Sequence, residues 1–111
     1  MKPEMVIEIL TFEGCPSAQI TRDLVASALR LEAAHATVRE IEVGSVDVAQ
    51  TAQFLGSPSV RIDGRDVEPG AHKRRDYGLM CRTYRQSDLS NNAPSLDMIR
   101  AAIRVRLDSR G

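Results

Sequence analysis

The stretch from Val6 to Ile20, V-I-E-I-L-T-F-E-G-C-P-S-A-Q-I, predicts a strand that turns directly into a helix, with a cysteine at the junction. Its apolar residues between Val6 and Phe12 form the near-continuous run that is typical of a strand buried on both faces of a sheet. Gly14 permits a sharp turn, and Pro16 suits the first position of a helix because its missing N–H would have no helical partner there. Cys15 is therefore predicted to be the N-cap of the first helix.

A thiol at this position is a candidate nucleophile. The unpaired N–H groups and the dipole at a helix N-terminus stabilise an anion, so they favour the reactive thiolate form of Cys15. Glu13 acts in the opposite direction, since a carboxylate two residues away repels a thiolate. The neighbours Gly14, Pro16 and Ser17 are predicted to form the binding surface around the thiol. The alternative is that Cys15 is a small, buried and unreactive residue, as many free cysteines are.

Length and composition indicate one small domain, residues 1–111, with no charge bias. The chain is long enough for a single core, and its fifteen basic and fifteen acidic side chains cancel. That balance gives no support for a nucleic-acid partner. Glu8 interrupts the first apolar run, so neither a secretory signal nor a membrane span is expected, and the predicted location is the cytoplasm. Two cysteines in that compartment favour reduced, transiently oxidised or metal-bound thiols over a structural disulfide.

The rest of the chain alternates helices with strands. Apolar residues at helical spacing predict an amphipathic helix from Ser17 to about Ala34 that packs on the sheet through Ile20, Leu24, Ala28 and Leu31. β-branched residues predict a second strand from Ala36 to Val43. Two strands joined by a helix of this length imply a parallel pair. A short helix from Val46 to Leu55 and an antiparallel hairpin with Asp63-Gly64 as its turn are expected next. The last predicted helix is capped by Ser95 and runs to about Leu107.

The residues from Glu68 to Pro94 show no convincing periodicity. A loop this long in a compact domain is usually functional or mobile. It contains Cys81, which has two interpretations. It is either a second reactive thiol that reaches Cys15, with Arg82 helping to hold the thiolate charge, or a small buried residue among its apolar and aromatic neighbours.

This order of elements, with a cysteine at the first strand-to-helix junction, resembles the thioredoxin/glutaredoxin superfamily over nearly the whole chain. Cys15-Pro16-Ser17 follows the glutaredoxin pattern C-P-x-C until Ala18 stands in place of the second cysteine. The stretch from Gly56 to Gly64 resembles the family's T-V-P segment, which leads into a strand and an N-G or D-G turn. The chain is also similar to a small bacterial group of thioredoxin-like proteins often labelled as related to organomercurial lyases. The resemblance implies a thioredoxin-like α/β fold, β-α-β-α-β-β-α, with a central mixed four-stranded sheet and a long loop before the last helix.

The resemblance also implies a cis peptide bond between Ser57 and Pro58 that faces Cys15. In the family, the exposed backbone at this point could pair with an extended thiol substrate. No resident cofactor is implied. Glutathione is a weak candidate because Glu13 is acidic where glutaredoxins often carry a basic residue, and because Pro69-Gly70-Ala71-His72 matches their glutathione-binding segment only loosely.

Three functions remain open. The first is a thiol–disulfide oxidoreductase in which Cys15 attacks a disulfide and Cys81 resolves the intermediate, with a protein or small-molecule thiol or disulfide as partner. The second is a module that binds a soft metal, such as mercuric or cuprous ion, between two thiolates, which are too few for a closed zinc site. The third is a thioredoxin-fold interaction protein without turnover, which uses the hairpin edge and the arginine-rich loop to hold a partner.

Overall fold

Three helices and a mixed four-stranded sheet form the framework of residues 4–86 and 89–108, which a computed structural model describes. The strands of the sheet are β1 (Met5–Thr11), β2 (Ala36–Glu42), β3 (Ser59–Ile62) and β4 (Arg65–Asp66). The helices are α1 (Ala18–Leu31), α2 (Val46–Thr51) and α3 (Leu96–Asp108). None of the helices in the described residues is long and apolar enough to cross a membrane.

The sheet has the strand order β2-β1-β3-β4. β1 lies parallel to β2, as the helix between them predicts, and antiparallel to β3. β3 and β4 form the predicted hairpin around Asp63 and Gly64, whose φ angles of 49° and 84° are both positive, as a type I′ turn requires. The predicted α/β class with a mixed four-stranded sheet is confirmed, and the assignment to the thioredoxin-like group stays a prediction.

Two hydrophobic cores, rather than the single one expected from the chain length, lie on the opposite faces of the sheet. Side chains of α1 and α3 pack with β1 and β3 in the larger core, whose fully buried members include Ile7, Ile9, Val25, Val60, Ile99 and Ile103. The next residue of β1, Leu10, points to the other face because side chains alternate along a strand. There it joins a smaller core with residues of α2 and the segments on either side of it, Val43, Ala49 and Phe54.

α1 buries only part of the predicted face: Val25 and Ala28 lie in the core as predicted, and Leu24 packs against it. The predicted core positions Ile20 and Leu31 are 55% and 52% exposed, whereas Thr21 is completely buried. Burial of a threonine carries no unpaired polar group here, since its hydroxyl donates to the carbonyl of Ser17 at 2.8 Å. The buried face of α1 is consequently centred on Thr21, Val25 and Ala28.

The region for which the sequence predicts no regular element contains three short ones among its described residues, 68–86 and 89–94. They are a single 3-10 turn at Ala71–Lys73 and two strands that pair antiparallel, β5 (Tyr84–Gln86) and β6 (Leu89–Asn91). Each has only three residues, too few for a periodic pattern to be recognised in the sequence. α3 follows as predicted, and Ser95 caps it by accepting a hydrogen bond from the N–H of Met98 at 3.0 Å.

Candidate functional site

Cys15 lies in the turn that joins β1 to α1. Its N–H donates to the carbonyl of Phe12 at 3.2 Å, and its carbonyl accepts from the N–H of Ala18 at 3.3 Å. Pro16 takes the second position of this turn, where its fixed φ is favoured, and Ser17 has the φ of −96° and ψ of 4° typical of the third position in a type I turn. The prediction that Cys15 is the N-cap is therefore wrong. Ser17 is the N-cap, because the turn delays the start of α1 to Ala18.

Both cysteines are free thiols. Cys15 is partly buried and Cys81 is exposed. The interpretation of Cys81 as a buried core residue is therefore wrong. Around Cys15, Gly14 and Pro16 are exposed and Ser17 is partly buried, so the predicted binding surface is accessible to solvent.

Ser57 connects the two chain segments that carry the cysteines. Its hydroxyl accepts a hydrogen bond from the N–H of Phe12, just beyond β1, at 3.3 Å. Its own N–H donates to the carbonyl of Met80 at 2.8 Å, and its carbonyl accepts from the N–H of Arg82 at 2.9 Å. Cys81 is thus the partner of Ser57 in an isolated parallel bridge. The residue that opens the β1–α1 turn, Phe12, and residues 80–82, called here the Cys81 segment, consequently both contact Ser57.

The backbone in front of Pro58 is not open to a substrate in this structure. The Ser57–Pro58 peptide bond is cis, as the resemblance implies, and both residues are buried. Both backbone hydrogen-bonding groups of Ser57 already pair with the Cys81 segment. The expectation that an extended thiol substrate pairs with this exposed backbone is therefore wrong, because the chain itself occupies that edge.

Gly56 allows the Cys81 segment to approach the sheet closely. Its φ of +115° lies in the region that side-chain-bearing residues rarely adopt. A Cβ atom on Gly56 would lie 3.0 Å from the Cβ of Arg82 and 3.1 Å from the carbonyl oxygen of Met80. Both the backbone conformation and the close contact therefore require glycine at this position.

The guanidinium of Arg82 anchors the Cys81 segment in the protein interior. Arg82 is only 2% exposed. It donates to the two carboxylate oxygens of Asp66 at 2.7 and 2.9 Å, to Glu68 at 3.1 Å and to the hydroxyl of Ser59 at 2.9 Å. Its Cζ atom lies 4.4 Å from the centroid of the Tyr84 ring, a distance that permits a cation–π interaction. A buried cation is thus matched by two carboxylates, a hydroxyl and an aromatic face.

These partners determine the charge state of Arg82 and the anions that its guanidinium can stabilise. Burial alone would lower the pKa of the Arg82 guanidinium, but the hydrogen bonds and charge of Asp66, together with the hydrogen bond to Glu68, raise that pKa above its ordinary value. Arg82 is predicted from the sequence to help hold a thiolate charge. Its guanidinium is instead directed to two carboxylates, which already neutralise it.

Tyr84 completes the buried network. It is fully buried, and its hydroxyl donates to the carbonyl of Pro58 at 2.5 Å. Burial raises the pKa of the Tyr84 phenol well above its ordinary value, although the charge of Arg82 acts in the opposite direction. The residue therefore stays neutral in the folded protein at any pH near neutrality.

Sequence reasoning missed the residues that hold Arg82. Asp66 and Glu68 are two positions apart after the hairpin turn, a spacing that places both side chains on one side of an extended chain. That spacing was the available signal for a shared cationic partner.

Among the described residues, no group of three or more histidine, cysteine, aspartate or glutamate side chains is placed to hold a metal ion.

Comparison with known proteins identifies no relative. No protein-family model matches the chain, and no curated protein or solved structure is significantly similar to it.

Removal of the buried cation is expected to destabilise the fold strongly. Arg82→Met keeps much of the side-chain volume but leaves Asp66 and Glu68 without their cation, so the free energy of unfolding should fall by about 3–5 kcal/mol. Urea unfolding followed by circular dichroism measures the change. Arg22→Met is the matched control, since Arg22 pairs with Glu40 at the surface, and it should cost less than about 1 kcal/mol. Equal effects of the two substitutions would contradict the role of Arg82.

The raised pKa of Tyr84 predicts a loss of stability at alkaline pH. The unfolded chain releases this phenol proton near pH 10 while the folded protein retains it. Above about pH 10 the unfolded state therefore binds fewer protons, and the free energy of unfolding falls as the pH rises. Tyr84→Phe has no phenol at this position, so its free energy of unfolding should not show this fall. The difference in the free energy of unfolding between the wild type and Tyr84→Phe should therefore shrink by up to about 1.4 kcal/mol for each unit by which the pH rises above about 10.

Unfolding curves between about pH 8 and about pH 11 measure this gap. Tyr77→Phe is the control, because Tyr77 is only partly buried. A gap for Tyr84→Phe that stays constant across the range would contradict the prediction.

Proposed function

We propose that this protein is a thioredoxin-like thiol–disulfide oxidoreductase in which Cys15 is the nucleophile and Cys81 the resolving thiol. The observation that carries the proposal is the junction at Ser57, which contacts the β1–α1 turn through its hydroxyl and the Cys81 segment through its backbone. The two chain segments that carry the cysteines therefore both contact Ser57, although most of the sequence separates them. The proposed partner is a protein or small-molecule disulfide, and the proposed location is the cytoplasm, where thiols are kept reduced.

The accessibility of the two thiols supports this order of roles. Cys15 is partly buried in a fixed turn, and the residues around it are largely exposed, so a substrate sulfur can approach it. Cys81 is exposed on a segment that is hydrogen-bonded to the sheet. A thiol that is both accessible and fixed in position is suited to attack an adduct formed nearby.

The exchange proceeds in two steps that conserve electrons. The Cys15 thiolate attacks one sulfur of a disulfide RS–SR′, forms a mixed disulfide with RS and expels R′S⁻, which is protonated to the thiol. The Cys81 thiolate then attacks the Cys15 sulfur, forms the intramolecular disulfide and expels RS⁻. The substrate gains two electrons and the cysteine pair loses two. An external thiol reductant must return them before a second turnover.

Two cysteine variants separate these steps. After reaction with oxidised glutathione, wild-type protein should carry the intramolecular disulfide and no adduct, as read from its intact mass. Cys81→Ser should retain one glutathione on Cys15, since no thiol is left to expel it. Cys15→Ser should react with oxidised glutathione much more slowly than the wild type, because it lacks the proposed nucleophile.

The result for Cys15→Ser is decisive for the assignment. If this variant reacts with oxidised glutathione as rapidly as the wild type, Cys15 is not the nucleophile. If Cys81→Ser forms no stable adduct while the wild type is oxidised to the intramolecular form, the order of the two thiols is reversed. Either outcome would contradict the proposed roles.

A further inference from the structure

The placement of Cys81 depends on its neighbours rather than on its own side chain. In the described part of the chain the Cys81 thiol takes part in no hydrogen bond, and it is exposed to solvent. The contacts that hold it belong to the residues on either side: the carbonyl of Met80, and both the N–H and the guanidinium of Arg82. The position of the thiol is therefore set by the docking of the backbone that carries it.

Of these contacts, those of the Arg82 guanidinium determine the side to which the Cys81 side chain points. Successive side chains of an extended segment point to opposite sides, so an inward Arg82 turns Cys81 outward. The bidentate pair with Asp66 constrains the angle of the guanidinium as well as its distance. A lysine in its place would keep the charge but not this paired geometry.

We propose that Arg82 is a positioning residue for Cys81. The proposal rests on the proposed function and extends it to the second step of the reaction: Arg82 holds the Cys81 sulfur where it can attack the mixed disulfide on Cys15. It predicts that Arg82 affects the two steps unequally. Attack by Cys15 on the substrate uses no atom of the Cys81 segment, whereas resolution depends on how well Cys81 is placed.

The two steps can be timed with 5,5′-dithiobis(2-nitrobenzoate), supplied at less than one equivalent. Each step releases one coloured thiolate, the first when the adduct forms and the second when it is resolved. In Arg82→Lys the first release should keep its rate within about twofold, and the second should slow by about tenfold or more, because a misplaced group loses its intramolecular advantage. Arg39→Lys is the control, since Arg39 is exposed on β2, and both releases should match the wild type.

A second pair of variants disturbs the same docking from the sheet side. Gly56→Ala introduces a Cβ within 3.0 Å of the Arg82 Cβ. Gly64→Ala carries a similar backbone penalty at a φ of +84°, but its Cβ meets nothing within 4 Å. The second release should slow in Gly56→Ala and not in Gly64→Ala. This comparison stands even if Arg82→Lys folds poorly.

The outcomes separate this inference from the function on which it rests. If wild-type protein gives neither release from Cys15, the proposed function fails and the role of Arg82 fails with it. If the wild type gives both releases and Arg82→Lys and Gly56→Ala resolve the adduct at the wild-type rate, the oxidoreductase function stands and the positioning role is overturned. Equal slowing of both steps would also overturn it, since Arg82 would then act only on the fold.

Discussion

The burial of one cation, the guanidinium of Arg82, constrains the second half of the chain. A charge taken out of water is costly unless it is paired and hydrogen-bonded, so this side chain can lie inside only where anionic partners already converge. Asp66 and Glu68 provide the anions from β4 and the residues after it, and Ser59 adds a hydroxyl from β3. The network can therefore form only on a completed β3–β4 hairpin, and it joins that hairpin to residue 82.

Once Arg82 is fixed, the chain around it is attached to α2 and to the residues just before β3. Tyr84 stacks on the guanidinium and reaches the carbonyl of Pro58. Upstream, the N–H of Gly78 donates to the carbonyl of Phe54 at 3.0 Å, and the side-chain amide of Gln50 donates to the carbonyl of Tyr77 at 3.0 Å. A stretch without sequence periodicity is thus attached to the fold at several points, and Cys81 lies between them.

The parts of the fold that the sequence predicts are those with local signals. The apolar run of β1, the Asp63-Gly64 turn and the Ser95 cap each involve groups only a few residues apart, so their physics can be read from a short stretch. For the same reason the sequence predicts that Cys15 lies at the junction between the first strand and the first helix, which is where the structure has it. The exact start of α1 was not, because Pro16 and Ser17 suit a type I turn as well as a helix.

The parts that the sequence did not predict depend on long-range partners or on satisfied polar groups. Arg82 follows an exposed cysteine and is typical of a surface residue, and its anionic partners are 14 and 16 positions away. The sequence likewise gives no signal for the burial of Thr21, because hydropathy cannot show that its hydroxyl reaches the carbonyl of Ser17. Ser57 and Gly56 gain their roles only when the Cys81 segment is beside them.

Because Arg82 is buried among its anionic partners, we expect the Cys81 segment to stay docked on the sheet as firmly as a core strand. Native-state hydrogen exchange at the amides of Ser57 and Arg82 measures this docking, since each amide donates one of the two backbone hydrogen bonds between Ser57 and the Cys81 segment. We expect exchange as slow as that of the β1 and β3 amides, with an opening free energy close to that of global unfolding. Exchange at both amides near the rate of an unfolded chain, while β1 and β3 stay protected, would contradict it.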